Sequence, residues 1–177
     1  MEFIPKKSQE CELVQMKVTG LTIDPFTNMP IIILKDIEGK KSLPIWIGLI
    51  EASAIATELE QIELSRPMTH DLLKNILDAA NVVIKNVAVV DLSDNTFYAE
   101  ISCMHDAAEW TLDARPSDAI ALALRTNAPI YVAQHVIEKS RQIDIHYDEA
   151  DLEQNRKQKW TEILENLSPE DFGKYKM

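Results

Sequence analysis

The chain has 177 residues, of which 46% are hydrophobic and 27% are charged, a balance typical of a globular domain with a sizeable core. This composition excludes a globally disordered or fibrous chain, and no apolar stretch approaches the roughly 20 residues that a membrane-spanning helix needs. Lys and Arg number 18 against 29 Asp and Glu, which gives a net charge of −11. A passive nucleic-acid-coating protein is disfavoured, because nonspecific affinity for phosphates depends on Lys and Arg.

The N-terminus and the two cysteines indicate the cellular compartment. Residues 1–7 contain no apolar core behind a basic patch and so do not resemble a secretory signal. Cys11 and Cys103 lie far apart and form neither a disulfide framework nor a Cys-x-x-Cys motif. These features predict a reduced, cytoplasmic location without membrane contact.

The first part of the chain predicts three strands and a helix. Residues 13–23 and 30–35 are β-branched or apolar and flank a polar connection, which predicts a hairpin. A turn at residues 38–40 leads into an apolar strand over residues 42–48. Apolar residues at helical spacing then predict a helix over residues 49–64.

The next predicted helix begins just after an Arg-Pro dipeptide. Arg66 and Pro67 precede a helix over residues 70–80, with Thr69 as its N-cap. Asp71 lies in the first turn, where the helix dipole favours an acid.

The sequence after this helix predicts a second sheet. Alternating residues predict strands over residues 82–92, 96–103 and 109–113. A short strand over residues 129–132 and a helix around residues 136–141 end this part of the chain. The element order predicts an α+β fold with antiparallel or mixed sheets and several helices.

A second Arg-Pro dipeptide also precedes a predicted helix. Arg115 and Pro116 precede a helix for which Ser117 is the predicted N-cap and Asn127 the stop. The two turns form a weak internal echo. They do not establish a full repeat, since the flanking spacing differs.

The chain divides into three parts. An N-terminal segment covers residues 1–12, a single domain covers residues 13–143, and an acidic linker with a C-terminal helix covers residues 144–177. This C-terminal helical extension is too small to fold alone, so we expect it to pack on the domain or on a partner.

Chemistry-bearing side chains concentrate at the two Arg-Pro turns. The sequence has no phosphate loop, no dinucleotide-binding glycine motif, no Gly-x-Ser-x-Gly and no His-x-x-x-His, so NTPase, dehydrogenase and serine hydrolase functions have no support. Helix N-termini offer free N–H groups and a partial positive charge, which suit a phosphate. The polar residues at the two turns are Arg66, Thr69, His70, Asp71, Asp113, Arg115, Ser117 and Asp118.

Four ordered blocks of the sequence resemble the bifunctional nuclease family. They cover residues 43–52, 66–72, 113–123 and 129–132. The resemblance implies an α+β fold, a homodimer, and the RNase and DNase activity claimed for plant members. It supplies no agreed set of catalytic residues.

We therefore expect metal-assisted hydrolysis of phosphodiester bonds in RNA, DNA or both, with Mg²⁺ or Mn²⁺ and no organic cofactor. Hard cations suit carboxylate oxygens, and His70 would activate water or protonate the leaving oxygen. The predicted catalytic residues are His70, Asp71, Asp113 and Asp118. The predicted metal ligands are Asp71, Asp113, Asp118 and Glu51. The predicted phosphate-binding residues are Arg66, Arg115, Thr69 and Ser117.

This mechanism requires the two Arg-Pro turns to meet in space, because carboxylates more than roughly 10 Å apart cannot share a metal site. Two alternatives stay open. One is a noncatalytic dimeric regulatory or interaction protein, in which Arg66 and Arg115 brace the turns by pairing with nearby acids. The other is binding of a small anion at the helix starts without turnover. Exposed carboxylates in a cleft would favour the enzyme. Buried and paired carboxylates would favour the noncatalytic interaction protein.

Overall fold

A seven-stranded mixed sheet and four helices make up the fold in a computed structural model that describes residues 12–24 and 26–141. Residues 1–11 of the predicted N-terminal segment and the predicted linker and C-terminal helix over residues 144–177 lie outside the described residues. The strands are Leu13–Ile23 (β1), Pro30–Asp36 (β2), Ser42–Trp46 (β3), Val83–Ser93 (β4), Thr96–His105 (β5), Ala108–Ala114 (β6) and Ile130–Ala133 (β7). The helices are Leu49–Leu59 (α1), Thr69–Ala79 (α2), Pro116–Thr126 (α3) and Gln134–Arg141 (α4).

The strands form one sheet in the order β3-β2-β1-β7-β4-β5-β6. The α+β fold is confirmed, but the prediction of a second sheet is wrong. The reason is β7, which uses both of its edges: Ile130 pairs with Met16 of β1 in antiparallel register and with Val87 of β4 in parallel register. A four-residue strand thus joins the two meanders that the sequence suggests separately.

The core lies between the sheet and helices α1, α3 and α4. Ile55 of α1, Ile120 of α3 and Ile137 of α4 are almost fully buried against strand residues such as Leu34 and Val87. By contrast, α2 has no buried residue, and its main neighbour is α3. Among the described helices none is long and apolar enough to cross a membrane.

The helix boundaries correct several details. Helix α1 ends at Leu59 rather than at residue 64, because Gln61 adopts a left-handed conformation with φ 52° and Ile62 N–H bonds back to the Thr57 carbonyl at 2.9 Å. Helix α4 begins at Gln134, two residues earlier than expected. Asn127 ends α3 in the left-handed conformation, φ 55°, as predicted.

Neither predicted N-cap is correct. Helix α2 begins at Thr69 itself and its N-cap is Met68, whose backbone N–H donates to Asp71 Oδ2 at 2.8 Å. Helix α3 begins at Pro116, which suits the first helical position because it has no N–H to satisfy and a helical φ. Ser117 is therefore inside the helix and not its cap.

Candidate functional site

The two Arg-Pro turns meet in the folded protein. Helix α2 packs against α3, and this packing brings the first turns of the two helices together. His70 Nε2 lies 3.3 Å from Asp118 Oδ1, although the residues are 48 positions apart in the chain. The His70 side chain is 15% exposed and that of Asp118 is 35% exposed.

Arg115 connects this contact to the first turn of α1. Its Nε and Nη2 donate to the two oxygens of Asp118, at 2.8 and 3.2 Å, and its Nη1 donates to Glu51 Oε1 at 2.6 Å. These hydrogen bonds, donated first to Asp118 and second to Glu51, raise the pKa of the Arg115 guanidinium. We call Glu51, His70, Arg115 and Asp118 the ionic cluster.

The ionic cluster lies at the surface and joins three helix N-termini. The Arg115 side chain is 65% exposed, whereas Glu51 is largely covered. A separate open pocket of about 460 Å³ lies where β2 ends beside β1, and no member of the ionic cluster lines it. Its lining is Lys17, Val18, Thr19, Lys35, Asp36, Ile37, Glu38 and Gly39.

Asp71 pairs with Arg125 and with no member of the ionic cluster. Arg125 Nε donates to Asp71 Oδ1 at 2.5 Å, while Asp71 Oδ2 accepts the Met68 N–H. Partial burial acts to raise the pKa of Asp71, but the hydrogen bonds from Arg125 and Met68 outweigh it and hold that pKa below its ordinary value. Sequence reasoning missed Arg125, because an arginine in the last turn of a helix is usual on dipole grounds alone.

The other predicted site residues are placed apart. Asp113 is exposed on β6 opposite Glu100, and strand alternation puts it on the sheet face opposite to that of Ala114, which packs against the core. Arg66 is exposed in the segment before α2 and makes no hydrogen bond or ion pair within residues 12–24 and 26–141. Thr69 is exposed beside His70, and Ser117 is buried.

The predicted metal ligands are divided among three places. Asp71 is paired with Arg125, Glu51 and Asp118 are paired with Arg115, and Asp113 lies on the sheet. Within the part of the chain that the structure describes, no group of three or more His, Cys, Asp and Glu is arranged to hold a metal ion. As placed here, these carboxylates do not fit a shared Mg²⁺ or Mn²⁺ site, and metal assistance stays a prediction.

Comparisons with known proteins agree on one family. The model of the bifunctional nuclease domain matches residues 32–144, a range that contains the whole ionic cluster and Arg125. An uncharacterized protein of Mycobacterium tuberculosis is 37% identical over 164 residues, which cover 89% of this chain and 97% of that protein.

Two plant proteins are similar over a shorter range. Bifunctional nuclease 2 of Oryza sativa subsp. japonica is 27% identical over 117 residues, 64% of this chain and 36% of the rice protein. Bifunctional nuclease 1 of Arabidopsis thaliana is 27% identical over 135 residues, 74% of this chain and 42% of the plant protein. The resemblance carried by the four sequence blocks is thereby confirmed.

Proposed function

Because the chain belongs to the bifunctional nuclease domain family, we propose that it hydrolyses phosphodiester bonds of RNA, DNA or both, with the ionic cluster as its site. The observation that carries the proposal is the contact between His70 and Asp118 beside an exposed arginine. A histidine oriented by a carboxylate next to a guanidinium is a combination suited to acid–base chemistry on a phosphate.

Arg115 is the proposed phosphate-binding group. A guanidinium has five N–H donors, and three are engaged by Asp118 and Glu51, which leaves two for phosphate oxygens. The planar group matches a phosphate bidentately, and its charge would stabilise the extra negative charge of the transition state. Its exposure leaves a substrate free to approach.

His70 is the proposed general base or acid. When Nε2–H donates to Asp118, the lone pair of the neutral imidazole is on Nδ1, which would accept the proton of an attacking water. Asp118 thus selects the tautomer and orients the ring. The protonated ring would afterwards return a proton to the leaving oxygen.

We also propose that Mg²⁺ or Mn²⁺ assists the reaction. The described carboxylates do not form a three-ligand site. Mg²⁺ in proteins is often held by few carboxylates together with substrate phosphates. The substrate is therefore required in any test of metal binding.

We also propose a homodimer formed through α2. Leu72, Leu73 and Ile76 are 54%, 40% and 54% exposed, so this helix presents an apolar face to solvent. Lys74 pairs with Asp78 on the same helix at 2.6 Å, so the helix adds no unpaired charge to an acidic molecule. A second copy could cover this face with little charge repulsion.

Anion binding without turnover is the second candidate. It is favoured by the exposed Arg115 guanidinium, which keeps two N–H donors for an anion, and by the division of the predicted carboxylate ligands among three places. A protein of this kind would bind a phosphate-bearing ligand and leave its bonds intact.

The test is cleavage of labelled single-stranded RNA and DNA by purified protein in Mg²⁺, Mn²⁺ or EDTA. His70→Ala and Arg115→Gln should lose cleavage, and His105→Ala is the matched histidine control on β5. Cleavage that persists unchanged in both site variants would contradict the proposed site. Absence of cleavage in every protein, together with phosphate binding, would favour the second candidate. Asp113→Asn tests whether that residue has the catalytic role predicted from the sequence.

A further inference from the structure

Helix α2, which carries His70, is attached to the domain by few contacts. None of its residues is buried, and its apolar residues Leu72 and Ile76 are about half exposed. Apolar packing therefore contributes less to its placement than it does for α1 or α3. Something more specific must keep His70 within reach of Asp118.

Arg125 provides that specific attachment. Its side chain is 3% exposed, and its guanidinium donates from Nε to Asp71 of α2, from Nη1 to the Ala121 carbonyl of α3 and from Nη2 to the Ala54 carbonyl of α1. The two carbonyl bonds are 3.0 Å long. One buried group thus joins the three helices whose N-termini form the ionic cluster.

Burial of this charge makes Asp71 its necessary partner. A buried guanidinium is strongly destabilising unless a carboxylate compensates it, and Asp71 is the carboxylate in contact with it. The other oxygen of Asp71 accepts the Met68 N–H and so fixes where α2 begins. His70 is the residue between this fixed start and Asp71.

We propose that Arg125 is a positioning residue for His70: through Asp71 it sets the first turn of α2 so that the imidazole meets Asp118. The inference rests on the proposed function for its kinetic consequence. The structural consequence, which is the environment of the His70 ring, is independent of the proposed function. Neither Arg125 nor Asp71 is proposed to contact the substrate.

The test uses the full chain with Asp71→Asn, Arg125→Lys and Arg125→Gln. Asp71→Asn is nearly isosteric at a partly exposed position and can still accept the Met68 N–H, so it should fold. Lys74→Gln is the matched control, because it breaks a surface ion pair of the same helix. Thermal unfolding confirms that each protein is folded.

We expect Asp71→Asn and Arg125→Gln to lower kcat about 10-fold to 100-fold, since small displacements of a catalytic group have effects of this size. KM should stay within about 2-fold, because Arg115 still binds the phosphate. Arg125→Lys should recover part of the loss by keeping the charge, and Lys74→Gln should leave kcat unchanged.

The ring signals of His70 in a ¹H–¹³C spectrum, assigned by their loss in His70→Ala, provide the second readout. They should shift in Asp71→Asn and Arg125→Gln and stay in place in Lys74→Gln. Unmoved signals in both folded variants would overturn the inference, as would a loss expressed in KM alone. If the wild-type protein shows no cleavage, the proposed function fails, and the ring signals still decide the positioning role.

Discussion

The side chain of Glu51 lies in a space that only glycine at position 48 leaves open. A Cβ on Gly48 would come within 2.2 Å of Glu51 Oε2. From this position the carboxylate accepts a hydrogen bond from Arg115, and it places a negative charge where the substrate phosphate is proposed to bind. Glu51 therefore orients Arg115 but also opposes an anionic ligand.

Glu51→Gln tests this balance. Removing one like charge a few ångströms from a phosphate should lower KM for a labelled oligonucleotide about 3-fold to 10-fold at a partly exposed site. Steady-state kinetics measures it, and Gly48→Ala, which displaces the carboxylate, should act in the same direction. A rise in KM would contradict this role. Complete loss of Mg²⁺-dependent cleavage would instead support the sequence-based prediction that Glu51 is a metal ligand.

Asp24 contributes a pH-dependent part of the stability. It is buried, and Oδ1 accepts the Phe26 N–H at 2.9 Å while Oδ2 accepts Trp46 Nε1 at 3.0 Å. The Phe26 hydrogen bond, and next the Trp46 bond, lower the pKa of Asp24 from 3.8 to about 2. Because the folded pKa is below the unfolded one, this stabilisation is present above pH 3.8 and is lost as the pH falls through about 2.

Thermal unfolding of the wild type and of Asp24→Asn checks this sign. The wild type should have the higher Tm at about pH 6, and the difference should shrink between about pH 4 and about pH 2. A difference that stays constant over this range would show that ionisation of Asp24 contributes nothing.

At the scale of helices and strands, local sequence patterns predict where an element starts better than they predict which other elements it contacts. The Arg-Pro turns correctly predict α2 and α3, because proline and a first-turn acid act within a few residues of the helix start. The caps are misassigned, since Met68 and Arg115 are one or two positions earlier than the expected hydroxyl residues. Local sequence patterns locate a helix start only to within one or two residues, so errors of this size are expected.

What local patterns do not determine is contact between distant segments. β7 joins two meanders into one sheet, and Arg125 reaches Asp71 across 54 positions. The sequence-based site requires the two turns to meet, and the contact between His70 and Asp118 brings their helix starts together. It also includes Asp113. Strand alternation places this side chain on the sheet face opposite to Ala114, and that placement depends on strand register.

The apolar face of α2 predicts a concentration-dependent dimer. Leu72→Ser combined with Ile76→Ser should shift the protein toward monomer in light scattering or sedimentation, because the removed side chains are exposed in the single copy. The unfolding temperature of the monomer should change little, since α2 buries no residue. Asn75→Ser is the control on the same helix. A monomeric wild type, or a dimer unaffected by the double substitution, would contradict the proposed interface.

The charge of the whole molecule limits how a nucleic acid can bind. The chain carries −11, and at the proposed site the cation that faces solvent within the ionic cluster is Arg115. Contacts to one or two phosphates are therefore expected, in contrast to a basic groove that follows a long strand. This favours a substrate gripped at the reacting phosphodiester.

The salt dependence of binding measures this number. With one or two phosphates contacted, the logarithm of the association constant of a labelled single strand should fall against the logarithm of salt concentration with a slope of about −0.7 to −1.4. Fluorescence anisotropy with folded His70→Ala, which should bind without cleaving, gives the value. A slope of about −4 or steeper would show an extended basic surface and contradict a single-phosphate grip.

Chemical rescue of His70→Ala by imidazole tests directly whether His70 carries the acid–base chemistry. We predict that this variant, folded and still able to bind a labelled single strand, loses cleavage and regains part of it as imidazole is added. His105→Ala should cleave like the wild type and not respond to imidazole. Cleavage by His70→Ala at the wild-type rate, or a loss that imidazole does not relieve, would contradict the assignment of acid–base chemistry to His70.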